Sequence, residues 1–243
     1  QLDNIREGLY RSLEDRMRSE RMKIELITNV SHDLKTPLTS IISYTELLMQ
    51  EEGLPPHIRD YIQVLSGKAE RLRTMVLDIF DVSKAASGNL VLEMERLDLA
   101  KLVRQTLADM DEEIRASKLQ FKEDIPQTPL YLVADGKKLY RVFQNLIKNA
   151  LQYALPDTRV YVAAFEAGDA AVVTVKNISA SEMNFDSGEL VERFVRGDPA
   201  RVSDGSGLGL SIAKSFVEAC GGSFSVTIDA DLFTARVSFP RSS

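Results

Sequence analysis

The 243-residue sequence predicts an α+β protein: an N-terminal helical hairpin that pairs into a dimeric four-helix bundle, followed by an α/β sandwich. Three observations carry this. Apolar residues recur in a heptad rhythm from Ile24 to Ser83. After Asn89 the texture changes to alternating strand and helix patterns. Breaks at EEGLPP (51–56) and SGN (87–89) separate the pieces.

In chain order, Leu2, Ile5 and Leu9 form a seam that does not continue in register to Leu13 and Met17. Such a mismatch is a stutter, where a coiled coil changes its winding; residues 1–22 read as a coiled-coil helix. In the next helix, running to about Gln50, Ile24, Ser31, Leu38 and Thr45 share one core position, and Ile27, Leu34, Ile41 and Leu48 the other. Gly53, Pro55 and Pro56 break it. The second helix aligns Ile58, Leu65, Leu72 and Ile79 on one line and Ile62, Ala69, Val76 and Ser83 on the next, stopping at Gly88. One hairpin (23–89) cannot cover its own seam, so pairing with a second copy is the natural solution.

Residues 90–243 read as the second domain, with one mostly antiparallel sheet and helices on one face. Strands are expected at 89–96, within KLQFKEDI and within PLYLVAD, with a helix at 97–117 capped by Asp98 and another at 136–154. A hairpin follows (158–168 and 170–179, turning at Gly168-Asp169), then an irregular stretch at 180–204 and a helix from about Ser206 to Ala219. Two strands turning at 229–231 close the chain.

Composition narrows the function. Hydrophobic residues make up 44% and charged residues 27%, ordinary for a globular protein, and the net charge of −6 offers no basic surface for nucleic acid. A single cysteine, Cys220, excludes an internal disulfide or a multi-cysteine metal site and fits a reducing compartment. No apolar run approaches the roughly 18–20 residues of a membrane span. The chain opens in mid-helix pattern at Gln1, so it reads as an excised cytoplasmic piece of something longer. RMRSERMK (16–23) has the charges to meet a membrane surface, but alternating charges on a coiled coil are more often a solvated face.

His32, one of two histidines, faces outward on the heptad frame, with Asp33 beside it and Thr36 one turn on. An idle surface histidine is the bland reading, and a metal site lacks further ligands. A reactive histidine needs one nitrogen free and an acid nearby, and Asp33 is placed to supply it. Pro37 removes a backbone hydrogen bond and leaves the Asp33 carbonyl without its partner, bending the helix below His32. In QNLIKNALQYA, Asn145, Asn149 and Gln152 line the polar stripe with Lys148 beside them; the asparagines offer neutral oxygen ligands to Mg²⁺. In DGSGLGLSIAKSFVEACGG, Gly205, Gly207 and Gly209 precede a helix whose free amides suit a polyphosphate. No Gly-Lys-Ser/Thr closes a Walker loop there.

SHDLKTP, NLIKNALQY, ERFVRG and GSGLGLSIAKSFVE, in this order, resemble the H, N, F and G2 boxes of sensor histidine kinases of two-component systems, over residues 20–240. The resemblance implies a dimerisation and phosphoacceptor hairpin followed by a Bergerat-type ATP-binding domain. It implies transfer of the γ-phosphoryl group of Mg-ATP to a histidine and then to an aspartate of a response regulator, in a protein commonly anchored in the cell membrane. Carried over, His32 is the phosphoacceptor, Asp33 its acid partner, and Thr36 the residue that places water for regulator dephosphorylation. Asn149 ligates Mg²⁺ with Asn145 in support, and Tyr153 lines the adenine and ribose. Phe194 anchors the lid, Arg196 and Arg201 are its phosphate contacts, and Gly205, Gly207, Leu208, Gly209 and Leu210 form the G2 box.

Two positions depart from the pattern. Asn177 stands where the family's adenine-reading aspartate is expected, with Ser179 in place of the first glycine of that box. Gln152 stands where many relatives carry a phosphate-reaching cation, which Lys148 or the lid arginines would replace. A pseudokinase scaffold or phosphatase with weakened ATP binding is therefore the alternative reading. A water-hydrolysing ATPase on the same fold places a glutamate where Asn145 stands.

Overall fold

The computed structural model describes residues 34–86, 88–180 and 209–241. The expectations for residues 1–33 and 181–208, including His32, Asp33, Phe194, Arg196, Arg201, Gly205, Gly207 and Leu208, lie outside these residues. The chain separates into two compact units, residues 1–89 and 90–243.

In the first unit, helix α1 is described over residues 34–50 and α2 spans Pro56–Ala86. The link carries Gly53 at φ 83°, a left-handed conformation that glycine adopts without penalty. Pro56 opens α2, where its missing N–H would have had no partner anyway. At the other end Gly88, at φ 70°, donates to the Ala85 carbonyl at 3.1 Å, and Asn89 donates to that of Lys84 at 2.9 Å. These bonds satisfy the last carbonyls of the helix and stop it where the sequence indicates.

The two heptad rows have different fates. Leu38, Thr45, Ile62, Ala69, Val76 and Ser83 are buried within the single chain. Leu34, Ile41 and Leu48 on α1, with Leu65, Leu72 and Ile79 on α2, remain between 39% and 59% exposed. One row per helix closes the hairpin; the other presents six large apolar side chains to the outside. Near Pro37 the Thr39 and Ser40 hydroxyls donate to the carbonyls of Lys35 (2.9 Å) and Thr36 (3.3 Å), back-bonding of the kind that bends helices.

The second unit runs β1 (Met94–Asp98), α3 (Leu99–Asp109), α4 (Asp111–Ala116), β2 (Gln120–Asp124), β3 (Tyr131–Asp135), α5 (Gly136–Tyr153), β4 (Arg159–Ala167) and β5 (Ala170–Ile178), then α6 (Gly209–Ala219), β6 (Ser223–Asp229) and β7 (Leu232–Pro240). The main sheet has the order β2-β4-β5-β7-β6, antiparallel except for the parallel β2–β4 pair. Val160, Val162 and Ala164 on β4 pair with Asn177, Val175 and Val173 on β5, which pair in turn with Phe233, Ala235 and Val237 on β7. Every one of these is buried. Leu139, Phe143, Leu146, Ile147 and Ala150 on α5 and Ile212, Ala213 and Phe216 on α6 complete the core. Each large side chain so buried contributes about 1.5–3 kcal/mol relative to exposure.

Three expectations are corrected. The strands do not form one sheet: β1 and β3 make a separate antiparallel ribbon, Met94 opposite Asp135 and Asp98 opposite Tyr131. The reason is local, because each strand runs without a linker into a helix and ends in the aspartate that caps it. Asp98 Oδ1 accepts from the N–H groups of Ala100 and Leu130, both at 3.0 Å, and Asp135 Oδ1 accepts from that of Lys138 at 3.0 Å. The ribbon is thereby tied to the helical layer. Secondly, the first strand begins at Met94 rather than Asn89, since its length is set by the five residues facing β3. Thirdly, the helix expected at 97–117 is interrupted at Met110. That side chain turns inward to 2% exposure, while Asp111, Glu112 and Glu113 begin a new helix at the end that favours negative charge.

Candidate nucleotide site

Helix α5 is strongly amphipathic, and its polar stripe carries the residues singled out from the sequence. Asn145, Asn149 and Tyr153 are half-buried, whereas Lys148 and Gln152 are exposed. Its start is fixed by Asp135, whose second carboxylate oxygen also accepts from the Glu93 N–H at 3.0 Å. Asp135 escapes a reading aimed at catalytic side chains; the signal for it is an Asp-Gly pair at the start of an amphipathic run.

The C-terminal end of α5 is joined to the end of β5. The Leu155 N–H donates to the Ile178 carbonyl at 2.8 Å, the Ala180 N–H donates to the Tyr153 carbonyl at 2.9 Å, and Ala154 bridges Ser179. These bonds bring Asn177, the penultimate residue of β5, to the level of Tyr153. The other end of the site lies two turns back along α5. There the position a side chain would take at Gly209 lies 3.8 Å from Asn145 Cβ, so α6 begins directly against Asn145. Leu210, the next residue, is 2% exposed and anchors the first turn of α6 in the core.

Two buried side-chain atoms of this unit lack a hydrogen-bond partner among the described residues: Asn177 Oδ1 and Asn145 Nδ2. Asn177 is 2% exposed, and its amide nitrogen donates to the Ile178 carbonyl at 3.3 Å, which leaves the oxygen as the unpaired atom. Buried polar groups are ordinarily paired, because leaving one unpaired costs about 1–3 kcal/mol. The two orphans differ in sense. At the β5 end is an acceptor suited to an exocyclic amino group; at the α6 end is a donor suited to a phosphate oxygen. The α6 amides beside it carry the partial positive charge of a helix N-terminus. An adenine nucleotide matches this pattern.

Of the remaining expected residues, Thr36 is exposed on α1. No cluster of three or more His, Cys, Asp or Glu side chains stands ready for a metal among the described residues, so any cation here relies on amide oxygens and on the nucleotide. Cys220 is buried just after α6, and burial pushes its thiol pKa up, which makes it an inert packing residue. Among the described residues no helix is long and apolar enough to cross a membrane.

Comparison with known proteins agrees with this geometry. Residues 22–88 match the His Kinase A (phospho-acceptor) domain family, and residues 134–242 match the histidine kinase-, DNA gyrase B- and HSP90-like ATPase family. The chain is 31% identical to the sensor protein VanSC of Enterococcus gallinarum over 99% of its own length and 67% of the relative's. It is 29% identical to VanS of Enterococcus faecium over 98% of its length and 62% of the relative's. The sensor histidine kinase WalK of Bacillus subtilis is 30% identical, with 89% of this chain and 36% of WalK covered. Two solved structures share the fold. Full-length ShkA in complex with AMPPNP has a TM-score of 0.75 at 20% identity, covering 90% of this chain and 46% of ShkA. ThkA in complex with the response regulator protein TrrA has a TM-score of 0.62 at 23% identity, covering 97% of this chain and 67% of that one. Phosphoacceptor family, ATPase family, sensor-protein relatives and the paired unsatisfied amides agree: the chain belongs to the sensor histidine kinases of two-component systems, which are ATP-dependent protein-histidine kinases.

Proposed function

We propose that this chain binds Mg-ATP between α5, the end of β5 and the start of α6, phosphorylates His32, and passes the phosphoryl group to an aspartate of a response regulator. The observation that carries the reading is the pair of unpartnered amide atoms, Asn177 Oδ1 and Asn145 Nδ2, at the two ends of one site. Asn177 accepts from the adenine amino group, Tyr153 lines the base and ribose, and Asn145 donates to the phosphates. By the family resemblance Phe194 anchors the lid, Arg196 and Arg201 contact the phosphates, and Gly205, Gly207, Leu208, Gly209 and Leu210 form the glycine box of the nucleotide site. Mg²⁺ would be held through Asn149 and the phosphate oxygens, supplying charge neutralisation there. An imidazole nitrogen of His32 forms the new N–P bond as the β–γ bridging P–O bond breaks. ADP departs, and Asp33 takes the proton. Thr36, exposed on α1, orients water when the same protein dephosphorylates its regulator.

The division into residues 1–22, 23–89 and 90–243 belongs to the same proposal, as do homodimerisation and anchoring of the longer protein in a cell membrane. Dimerisation is supported by the six exposed seam residues of α1 and α2. Partnership with a receiver domain is supported by the likeness to the ThkA fold. The alternative, a scaffold or phosphatase with weakened ATP binding, is favoured by Asn177, which gives up the charge assistance of an aspartate, and by exposed, uncharged Gln152.

The test is autophosphorylation with γ-labelled Mg-ATP beside His32→Ala. Acid-labile, base-stable label on the parent and none on the variant is expected. A folded, dimeric parent that takes no label would sink the kinase reading in favour of the alternative.

A further inference from the structure

The structure fixes which way a nucleotide lies along α5, and resting on the nucleotide reading above, this identifies a residue outside the family's boxes. Asn177 is held at the C-terminal end of α5 by the bonds linking residues 153–155 to β5 and its exit, so the base sits beside Tyr153. Asn145, against which α6 opens, lies eight residues earlier, about 12 Å along the axis at about 1.5 Å per residue. A triphosphate therefore extends toward the N-terminal end of α5, with its last phosphate furthest along. One turn beyond Asn145, at i−4 on the same stripe, stands Arg141.

The other cations of α5 are differently placed. Lys137 and Lys138 lie a further turn along the helix, about 10–12 Å from the level of Asn145 at about 1.5 Å per residue, and Lys148 is exposed nearer the base end. Arg141 is half-buried although it is on the polar side of the helix, and that burial draws its pKa down from the usual guanidinium value while leaving it charged. We propose that Arg141 binds the terminal phosphate of ATP. Its planar fork suits bidentate contact with two phosphate oxygens. The chain thus moves a phosphate-binding cation from position 152, near the base end, to the far side of Asn145. There ATP and ADP differ, so Arg141 reads the phosphate that is to be transferred and lets go of the product.

The experiment is equilibrium binding of Mg-ATP and Mg-ADP to the 243-residue chain, to Arg141→Gln and to Arg141→Lys. Arg141→Gln is expected to weaken Mg-ATP about tenfold and Mg-ADP by less than about twofold, with Arg141→Lys between parent and glutamine. Retained ADP affinity shows that the variant is folded around its site. Equal losses for both nucleotides, or no loss for either, would overturn the assignment while leaving the nucleotide reading standing. A parent that binds neither nucleotide would overturn both.

Discussion

Replacing Asn177 by leucine, a side chain of similar shape, sets stability against binding in a way that tests the site. The unpaired Oδ1 of a residue only 2% exposed costs about 1–3 kcal/mol, which leucine removes. The substitution also removes the amide's 3.3 Å bond to the Ile178 carbonyl, but that carbonyl still accepts from the Leu155 N–H at 2.8 Å, so no new orphan appears. The net expectation is a gain of about 1–2 kcal/mol for the nucleotide-free second unit. For a unit of this size that raises its melting temperature by about 2–8 °C, at about 2–4 °C per kcal/mol. In the same variant the adenine amino group loses its acceptor, so Mg-ATP affinity falls about tenfold or more. The assay is thermal denaturation with and without Mg-ATP. The parent melts higher when nucleotide is added, while the variant starts higher and gains little. A variant that melts lower than the parent without nucleotide, yet keeps its ATP-induced rise, would refute the assignment of Asn177 as a base acceptor held unpaired in the fold.

Three further outcomes are expected. Leu65→Asp with Leu72→Asp places charges on the exposed row of α2 and should convert the dimer to a monomer in sedimentation while helicity stays high; an intact dimer would remove the seam from the interface. Gly222→Ala puts a Cβ 2.5–2.8 Å from ring atoms of Phe239, itself 2% exposed, and should destabilise by about 1–3 kcal/mol in chemical denaturation. Parent-like stability there would mean that the strand after α6 can shift at no cost. Finally, burial raises the Cys220 thiol above its ordinary value of 9.0, so the folded state disfavours the thiolate. The stability this contributes is whole below pH 9 and is lost as pH climbs from there through the raised folded value. Cys220→Ala should flatten that alkaline decline, and a decline of unchanged slope would assign it to other groups such as Tyr140, whose pKa burial also raises.

Much of this was legible in the residues because it depends on periodicity and on local chemistry. The heptad rows of α2 were readable to the residue, as were the Gly168-Asp169 hairpin, the Gly88 stop and the Asp98 cap, since each is decided within a few positions of chain. Less legible was which heptad row the hairpin would bury: both rows are apolar, and only three-dimensional pairing sorts Ile62 and Val76 inward from Leu65 and Leu72. The separate β1–β3 ribbon is not legible because strand patterns do not name partners, and Asp135 reads equally well as a strand end or as a cap. At the site, the stripe of Asn145, Lys148, Asn149 and Gln152 follows from helical spacing. The opposed senses of the two unpaired amides do not, because they depend on what Ile178 and Gly209 bring beside them.

The double grip of Asp135 has a consequence for how the second unit comes apart. One carboxylate oxygen holds the first turn of α5 and the other holds the Glu93 amide, just before β1. If residues 90–93 peel away, that grip loosens at the first turn of the helix carrying Asn145 and Asn149. The entering strand and the start of α5 should therefore open as one cooperative segment, and their amide protons should exchange with solvent at matched rates.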